Sequence, residues 1–311
     1  MGVLHMDFEI MHGVPGRGTK NPLRVLVIGN SFSRSLIRAL PQIMAAQSRY
    51  ALDLTDMYIG GCSLERHVNE YETAVADPEH KPYRIDRIAP GGVLEPDYMS
   101  NLPEMLKDRT YDLVTIQQAS PYSFRPDSWT PWSDRLIAIV RAALPEVKIV
   151  IQETWSYRPD SPRFADWGID SDMMFKYLRE VYAERSRHYG FEVIPTGDAV
   201  ETFRRRSDFR FAGFDPVRVA RIRFPQLPPD GGDIVGSYRW KEDENGVPVL
   251  TLDAIHLNRA GEYLQACVWF GALFGADVRA IRYVPDHLSA QQSALLRECA
   301  ALALEGKPEL Q

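Results

Sequence analysis

Residues 24–33 read RVLVIGNSFS, and this stretch decides the fold. Its first five residues form a short apolar run that ends at Gly29, which is typical of a strand buried on both faces of a sheet. A helical pattern begins a few residues later, so the chain is expected to pass from the strand directly into a helix. Ser31 therefore stands at the carboxyl end of a buried strand, where open α/β sheets bind their ligands.

Short apolar strands alternate with amphipathic helices along most of the chain. This alternation favours a parallel sheet that is covered by helices on both faces. The predicted core strands are residues 24–28, 51–58, 112–116, 147–151 and 191–194. The predicted fold class is therefore α/β, with a doubly wound, mostly parallel sheet of about five strands in a three-layer αβα arrangement.

The domain organisation follows from where this alternation stops. Residues 1–22 mix glycine and proline with polar residues and are predicted to form a loose N-terminal arm, followed by a single domain over 23–311. Residues 83–98 resemble a hairpin with a Pro-Gly-Gly turn. The segment 207–250 is rich in proline and is predicted to be an insertion packed near the site, with its own hairpin around Glu244-Asn245-Gly246.

Composition excludes several classes of function. The chain has 311 residues, a formal net charge of −6 and a pI of about 5.7, so it carries no basic footprint for nucleic acid. The run Arg204-Arg205-Arg206 is interpreted as a solvated helix end. No apolar run approaches the ~18 residues of a membrane span, and residues 1–22 lack the apolar stretch of a signal peptide. These features predict a cytoplasmic protein that binds neither nucleic acid nor membrane.

Cysteine usage also favours a cytoplasmic location, and it suggests no metal site. The three cysteines, Cys62, Cys267 and Cys299, have no spacing that fits a zinc site. A reduced compartment is the simplest interpretation of an odd number of cysteines. The sequence does not predict an oligomeric state.

Ser31 is a candidate nucleophile. At the end of a strand its backbone N–H can point at a developing oxyanion while its hydroxyl faces the ligand. The alternative is structural, because serine is a favoured helix N-cap. Ser33 is the better N-cap of the two, which leaves the Ser31 hydroxyl free for chemistry.

Asp253 and His256 are a candidate acid and base. They lie three residues apart, and in a helix-like turn two such side chains face the same way. Asp253 could then accept a hydrogen bond from one imidazole nitrogen and leave the other free to take a proton from Ser31. The alternative is an exposed histidine that stands beside an aspartate by chance.

The order Ser31, Asp253, His256 resembles that of the SGNH (GDSL-type) hydrolase superfamily. Gly29-Asn30-Ser31 matches the family's first block, and Asp253-Ala254-Ile255-His256 matches its last block before the terminal helix. The resemblance covers roughly residues 24–275, and it is closest to an uncharacterised bacterial branch with a Gly-Asn-Ser-Phe-Ser block. It implies a flavodoxin-like fold in which Ser31 is the nucleophile, His256 the base and Asp253 the orienting acid, and it implies no cofactor or metal.

The same resemblance implies an oxyanion hole formed by three donors. Two are the backbone N–H groups of Ser31 and of a glycine after the second strand, for which Gly61 is favoured over Gly60; the alternative is a plain turn. The family's next block supplies an asparagine, which this sequence lacks. Gln117-Gln118 follows the third core strand instead, and a glutamine amide offers the same donor on a longer arm. Gln118 is favoured over Gln117 for this role.

Other residues near these strand ends are candidates for substrate binding. Asn30, Gly60 and Gln117 are included by position. Trp155 and Tyr157 follow the fourth strand and could form a platform for a sugar ring, with Tyr238 and Trp240 as a further wall. For the aromatic residues, ordinary packing is an equally good interpretation.

Two competing sites are weaker. Cys62 could be a thiol nucleophile, but nothing nearby in the sequence would lower its pKa. His67, with Glu65 and Glu70, could bind a metal, but a third ligand at suitable spacing is missing. Packing and solvated charge explain these residues better.

The sequence therefore predicts a serine esterase acting on a small-molecule or glycan ester. The resemblance fits removal of an O-acetyl group from a carbohydrate through an acyl-enzyme. The alternatives are lipase- or thioesterase-type hydrolysis of a short acyl chain, and a non-catalytic carbohydrate-binding relative of the fold.

Overall fold

A seven-stranded sheet forms the centre of the computed structural model, which describes residues 7–19, 21–206, 211, 213, 216–228 and 231–307. The strands of this sheet are β1 (Leu23–Gly29), β2 (Leu52–Tyr58), β3 (Tyr83–Ala89), β4 (Val93–Ser100), β5 (Leu113–Ile116), β6 (Lys148–Gln152) and β7 (Val193–Ile194). Their spatial order is β4-β3-β2-β1-β5-β6-β7. A separate two-stranded sheet consists of β8 (Val235–Glu242) and β9 (Pro248–Leu257).

Helices connect these strands. They are α1 (Ser31–Arg34), α2 (Leu40–Ala46), α3 (Leu64–Ala76), α4 (Leu102–Asp108), α5 (Ser120–Ser123), α6 (Trp132–Ala143), α7 (Arg163–Trp167), α8 (Ser171–Tyr189), α9 (Thr196–Arg206), α10 (Pro216–Ala220), α11 (Arg259–Phe274) and α12 (Ala290–Leu304). Short 3₁₀ turns occupy Ser35–Arg38, Pro126–Ser128 and Val278–Ala280.

The predicted α/β class is confirmed, because the five expected core strands are present and pair in parallel. β1 pairs with β2 on one side and with β5 on the other, and β6 and β7 extend the sheet beyond β5. The strand β1 is almost wholly buried, as its continuous apolar run requires. It lies at the middle of the sheet, so the carboxyl end of β1 opens at the centre of one sheet edge.

The sheet has two more strands than predicted. The expected hairpin over 83–98 is present as β3 and β4, and it adds to β2 in antiparallel fashion. The inner strand β3 has a buried face, whereas the outer strand β4 is mostly exposed. The prediction recognised this hairpin but did not count its strands among the core strands of the sheet.

The described part of the N-terminal arm is not loose. Ile10 forms a parallel bridge with Val193, and the Met11 N–H donates to the Val193 carbonyl at 3.0 Å. Met11 is fully buried, so these residues extend the edge of the sheet beyond β7. Residues 1–6 and 20 of the predicted arm, and residues 207–210, 212, 214–215 and 229–230 of the predicted insertion, lie outside the described residues.

The hairpin β8–β9 corresponds to the hairpin expected in the insertion, but β9 is longer than predicted. It continues to Leu257, and its final turn leads directly into α11, whose N-cap is Asn258. Asp253 and His256 therefore lie on an irregular strand and not in a helix-like turn, which corrects the expectation from their spacing. This strand delivers both side chains to the edge of the main sheet.

Candidate active site

Ser31, His256 and Asp253 form a continuous chain of hydrogen bonds. The Ser31 Oγ lies 2.9 Å from the His256 Nε2. The His256 Nδ1 lies 2.9 Å from the Asp253 Oδ2 and 3.1 Å from its Oδ1. Because a carboxylate can only accept, Nδ1 carries the imidazole proton and Nε2 accepts from the serine hydroxyl. The structure thus brings together the three residues that the sequence singled out for the triad.

Asn30 positions Ser31 at the start of α1. Its Oδ1 accepts hydrogen bonds from the Phe32 N–H at 3.0 Å and from the Gln117 Nε2 at 2.7 Å, and its Nδ2 donates to the Cys62 carbonyl at 3.0 Å. Asn30 is therefore the N-cap of α1, and it is buried. The expectation that Asn30 contacts substrate is wrong, because the residue is buried and both polar atoms of its side chain are hydrogen-bonded within the protein.

Ser33 is not the cap that the sequence suggested. Its Oγ lies 2.9 Å from the Asp56 Oδ1 and 3.0 Å from the Asn30 carbonyl, and it is fully buried. A side chain on Gly29 would come within 2.2 Å of the Ser33 Oγ. The close packing of Ser33 against the end of β1 therefore requires glycine at position 29.

A bulge in β9 lets Asp253 and His256 face each other. Val235 pairs with Leu257, whereas Ser237 pairs with Asp253, so a single residue of β8 faces three of β9. That residue is Gly236, with a φ of +88°, where a side chain would meet the Asp253 carbonyl oxygen at 2.7 Å. Glycine is thus required at the point where the bulge brings the acid and the base together.

Backbone donors also hold the Asp253 carboxylate. Its Oδ1 accepts from the N–H groups of Ile255 and His256, both at 3.1 Å. Burial raises the pKa of Asp253, but the hydrogen bonds from the His256 ring and from these two N–H groups outweigh burial and hold its pKa well below the ordinary value. Asp253 is therefore ionised and can stabilise a protonated imidazole.

Trp155 lies beneath the triad and not at the mouth of the site. Its ring stacks on Phe32 with centroids 4.0 Å apart, and its Nε1 donates to the Ile255 carbonyl at 3.0 Å. It is only 1% exposed, so the expected role as a sugar platform is wrong. Trp155 instead connects the serine turn to the β9 bulge, which fixes the position of His256 relative to Ser31.

Tyr157 is also buried and not available as a platform. Its hydroxyl shares a hydrogen bond with the Ser120 Oγ at 2.8 Å, and its ring packs against Phe164 and Trp167. Of the two residues expected as a further wall, Tyr238 lines the cavity beside the triad. Trp240 does not line it, because its Nε1 donates to the Gln226 carbonyl and its ring contacts Phe224.

The glutamines that follow β5 have structural partners, and this corrects two expectations. The Gln118 Nε2 donates to the Ser128 carbonyl at 2.7 Å, and its Oε1 accepts from the N–H groups of Leu64 and Ala119. The Gln117 Nε2 donates to Asn30. Both side chains are buried, so neither amide is positioned as an oxyanion donor or a substrate contact.

Backbone N–H groups are the candidate oxyanion donors. Within the described part of the chain, the N–H groups of Ser31 and Gly61 donate to no protein acceptor. Gly61 is exposed in the turn after β2 and has a φ of +62°, a conformation that favours glycine. Gly60 is exposed in the same turn.

The competing sites receive no support. Cys62 is fully buried, and burial raises the pKa of its thiol to about 12. Burial lowers the pKa of His67 to about 3, and its Nδ1 lies 2.9 Å from the Tyr83 hydroxyl. Among the described residues no cluster of three or more His, Cys, Asp or Glu side chains could hold a metal ion. The chemistry of this edge therefore centres on Ser31.

A cavity of about 1010 Å³ opens beside the triad. Its wall includes Ser31, Asp253 and His256, part of the β8–β9 hairpin, and the start of α11. Sequence reasoning missed its four arginines, which are Arg34, Arg38, Arg239 and Arg259. Of these, only Arg34 could have been identified from the sequence, because it lies one helical turn after Ser31.

The fold and the site define an α/β protein with a Ser-His-Asp chain at the carboxyl edge of a mostly parallel sheet. The family model "Domain of unknown function (DUF4886)" matches residues 24–212. That is more than half of the chain, so the chain belongs to the DUF4886 family. None of the curated proteins matches it.

Three solved structures are similar in fold to different extents. A DUF4886 family protein from Bacteroides uniformis ATCC 8492 is 23% identical, with a TM-score of 0.70 over 94% of this chain and 98% of that one. A proposed SGNH hydrolase from Slackia heliotrinireducens is 19% identical, with a TM-score of 0.47 over 80% and 97%. A proposed GDSL-like lipase from Parabacteroides merdae ATCC 43184 is 11% identical, with a TM-score of 0.44 over 82% and 98%.

None of the helices in the described residues has the length and apolar character needed to cross a membrane.

Proposed function

We propose that this protein is a serine hydrolase of the SGNH type that cleaves a carboxylic ester through an acyl-enzyme. The observation that carries the proposal is the hydrogen-bond chain from the Ser31 hydroxyl through His256 to the ionised Asp253. Such a chain raises the nucleophilicity of a serine, because the base that receives its proton is already within hydrogen-bond distance and in the required tautomer.

In the proposed mechanism, the Ser31 Oγ attacks the ester carbonyl while His256 Nε2 accepts its proton. The N–H groups of Ser31 and Gly61 donate to the oxyanion, and each such donor is typically worth about 3–4 kcal/mol of barrier. His256 then protonates the leaving alcohol, and the acyl group stays on Ser31. A water molecule, deprotonated by the same imidazole, hydrolyses the acyl-enzyme and releases the acid.

The substrate proposal is an O-acetyl ester, with a carbohydrate as the alcohol. The support for a carbohydrate is the resemblance of the Gly-Asn-Ser and Asp-x-x-His blocks to SGNH hydrolases, and not the aromatic residues, because Trp155 and Tyr157 are buried. Hydrolysis of another short acyl ester or of a thioester uses the same groups. The intact hydrogen-bond chain argues against a relative that binds carbohydrate without catalysis.

The test is hydrolysis of para-nitrophenyl acetate by the wild type and by Ser31→Ala. We expect Ser31→Ala to lose at least about 1,000-fold in kcat, because removing one member of such a triad leaves only binding and oxyanion contributions. Ser48→Ala, in the turn after α2, is the control and should keep the wild-type rate. Equal background rates in the wild type and Ser31→Ala would contradict ester hydrolysis.

A further inference from the structure

The cavity beside the triad has an excess of positive charge. Four arginines line it, together with three carboxylates, Asp233, Asp253 and Glu262. Each carboxylate already has a partner. Asp233 pairs with the buried Arg204, Asp253 with His256, and Glu262 with Arg38. With four arginines against three carboxylates, the lining residues carry one positive charge in excess, although the chain as a whole has a net charge of −6.

Arg34 is the least exposed of these arginines. Its Nη1 lies 2.7 Å from the Oδ2 of Asp86, and its guanidinium carbon lies 4.6 Å from the centroid of the Tyr58 ring. These two contacts fix the plane of the guanidinium. Its side chain is still 27% exposed, so the group is held in place and yet accessible from the cavity.

The remaining donors of Arg34 are unused. Its Nε and Nη2 form no hydrogen bond with any residue that the structure describes. Arg34 follows Ser31 by three residues in α1, so both side chains reach the same cavity. A planar pair of N–H donors fits the oxygens of a carboxylate or phosphate better than any neutral group.

Two further arginines add positive charge from other elements. Arg259, the first residue of α11, is exposed and makes no ion pair with the described residues. Arg239 on β8 is 52% exposed, and its Nη2 lies 3.4 Å from the Asp253 Oδ2. Both can turn toward a ligand in the cavity. A concave wall with one excess sign of charge concentrates ligands of the opposite sign.

We propose that the ester hydrolysed at Ser31 carries an anionic group, a carboxylate or a phosphate, which Arg34 binds with support from Arg239 and Arg259. This inference rests on the proposed function and specifies its substrate class. The reaction is unchanged: the ester bond breaks, water supplies the hydroxyl of the acid and the proton of the alcohol, and the anionic group leaves with whichever product carries it.

Matched pairs of esters test the inference on the unmodified protein. On the alcohol side the pair is para-acetoxybenzoate and its methyl ester; on the acyl side it is mono-para-nitrophenyl succinate and para-nitrophenyl butyrate. Since hydrogen bonds to charged groups are the strong ones, we expect kcat/KM to favour the anionic member of at least one pair by about 10- to 100-fold. Added salt should reduce kcat/KM for the anionic ester and not for the neutral one.

Variants then assign the preference to a residue. Arg34→Gln should reduce the anionic-to-neutral ratio of kcat/KM about 10-fold or more, chiefly through KM, and Arg259→Gln should reduce it by a smaller factor. The matched control is Arg135→Gln on α6, which likewise removes one positive charge and breaks an ion pair, here with Glu72. It should leave the anionic-to-neutral ratio of kcat/KM unchanged. Benzoate and phenyl phosphate, used as inhibitors, show which anion Arg34 prefers.

The outcomes separate the two proposals. Equal kcat/KM for both members of each pair, with no effect of salt, would overturn the anionic substrate and leave the esterase in place. Rates at the Ser31→Ala background for every ester would overturn the esterase and this inference with it. The salt experiment needs no variant, so its result does not depend on whether Arg34→Gln folds.

Discussion

Ser31 and His256 lie 225 residues apart in the chain, yet the Oγ of the first is 2.9 Å from the Nε2 of the second. The serine stands on the turn after the central strand β1, and the histidine stands on a bulge of the β8–β9 hairpin. Trp155 joins the two, because it stacks on Phe32 and donates to the Ile255 carbonyl. The site is therefore assembled from two separate elements that share one buried aromatic support.

Asp253→Asn should reduce kcat while leaving the fold intact. The amide can donate to the His256 Nδ1 and so favour the wrong imidazole tautomer, which costs up to about 10,000-fold in kcat in a comparable triad. Ester hydrolysis and thermal unfolding are the measurements. Glu244→Gln at the tip of the same hairpin is the control, and a kcat for Asp253→Asn within a few-fold of this control would contradict the role of the acid.

Gly61→Ala should impair catalysis more than its effect on stability explains. A side chain at a φ of +62° is strained and would shift the N–H that we assign to the oxyanion hole. Gly168→Ala, which has a φ of +65° and likewise meets no atom within 4 Å, is the matched control for strain. We expect similar losses of stability, about 1 kcal/mol each, but a lower kcat only for Gly61→Ala.

The stability of the protein should depend on pH through Asp56. Burial raises its pKa from 3.8 to about 7, although hydrogen bonding from Ser33 opposes the shift. A carboxyl whose pKa rises on folding holds its proton more tightly in the native state, so this group's contribution to stability is full below pH 3.8 and declines as the pH approaches about 7. At neutral pH and above, its ionisation therefore destabilises the fold.

Asp56→Asn should remove this dependence. Denaturant unfolding gives the unfolding free energy of each protein. We expect the value for the variant minus that for the wild type to rise by a few kcal/mol from about pH 4 to about pH 8, because each pKa unit is worth about 1.4 kcal/mol. The exposed Asp108→Asn should show no such change. Parallel pH profiles for the wild type and Asp56→Asn would refute the effect.

Arg204 should anchor the hairpin that carries the acid and the base. Its side chain is 13% exposed, pairs with Asp233 at 2.9 Å and donates to the carbonyls of Ser156 and Tyr157. This corrects the interpretation of Arg204-Arg205-Arg206 as a solvated helix end for Arg204 alone, because Arg205 and Arg206 are exposed.

Arg204→Met should lower the unfolding free energy by about 3–5 kcal/mol, because it leaves the buried Asp233 without its partner. The rate of ester hydrolysis should also fall, because the start of β8 is no longer held in place by this ion pair. Arg205→Met, which breaks the more exposed pair with Glu201, is the control and should cost about 1 kcal/mol or less. Equal losses in unfolding free energy for the two variants would contradict the anchoring role.

Much of the fold could be predicted because the core strands are continuous apolar runs. The strand over 24–28 in the prediction is Leu23–Gly29 in the structure, and the hairpin over 83–98 was also recognised. That this hairpin joins the sheet could not be predicted, since its outer strand is mostly exposed and the pairing of its inner strand with β2 is set by packing. The length of β9 was missed for the same reason.

At the site, position along the chain predicted which residues meet but not which way each side chain turns. Ser31 was predicted from its place at the end of a strand and His256 from its three-residue spacing to Asp253, and the family resemblance assigned their roles. Gln118 and Trp155 also follow strand ends, but both side chains point into the protein. There Gln118 accepts a hydrogen bond from the Leu64 N–H, and Trp155 donates one to the Ile255 carbonyl. The arginines of the cavity were missed because they come from separate elements that only the fold brings together.

The central claim is that His256 makes Ser31 nucleophilic, and a fluorophosphonate probe tests it most directly. We predict that the wild type gains the mass of one phosphonyl group, that peptide mapping places it on Ser31, and that Ser31→Ala and His256→Ala remain unlabelled on the same time scale. Labelling of His256→Ala at the wild-type rate, or of a residue other than Ser31, would contradict the account.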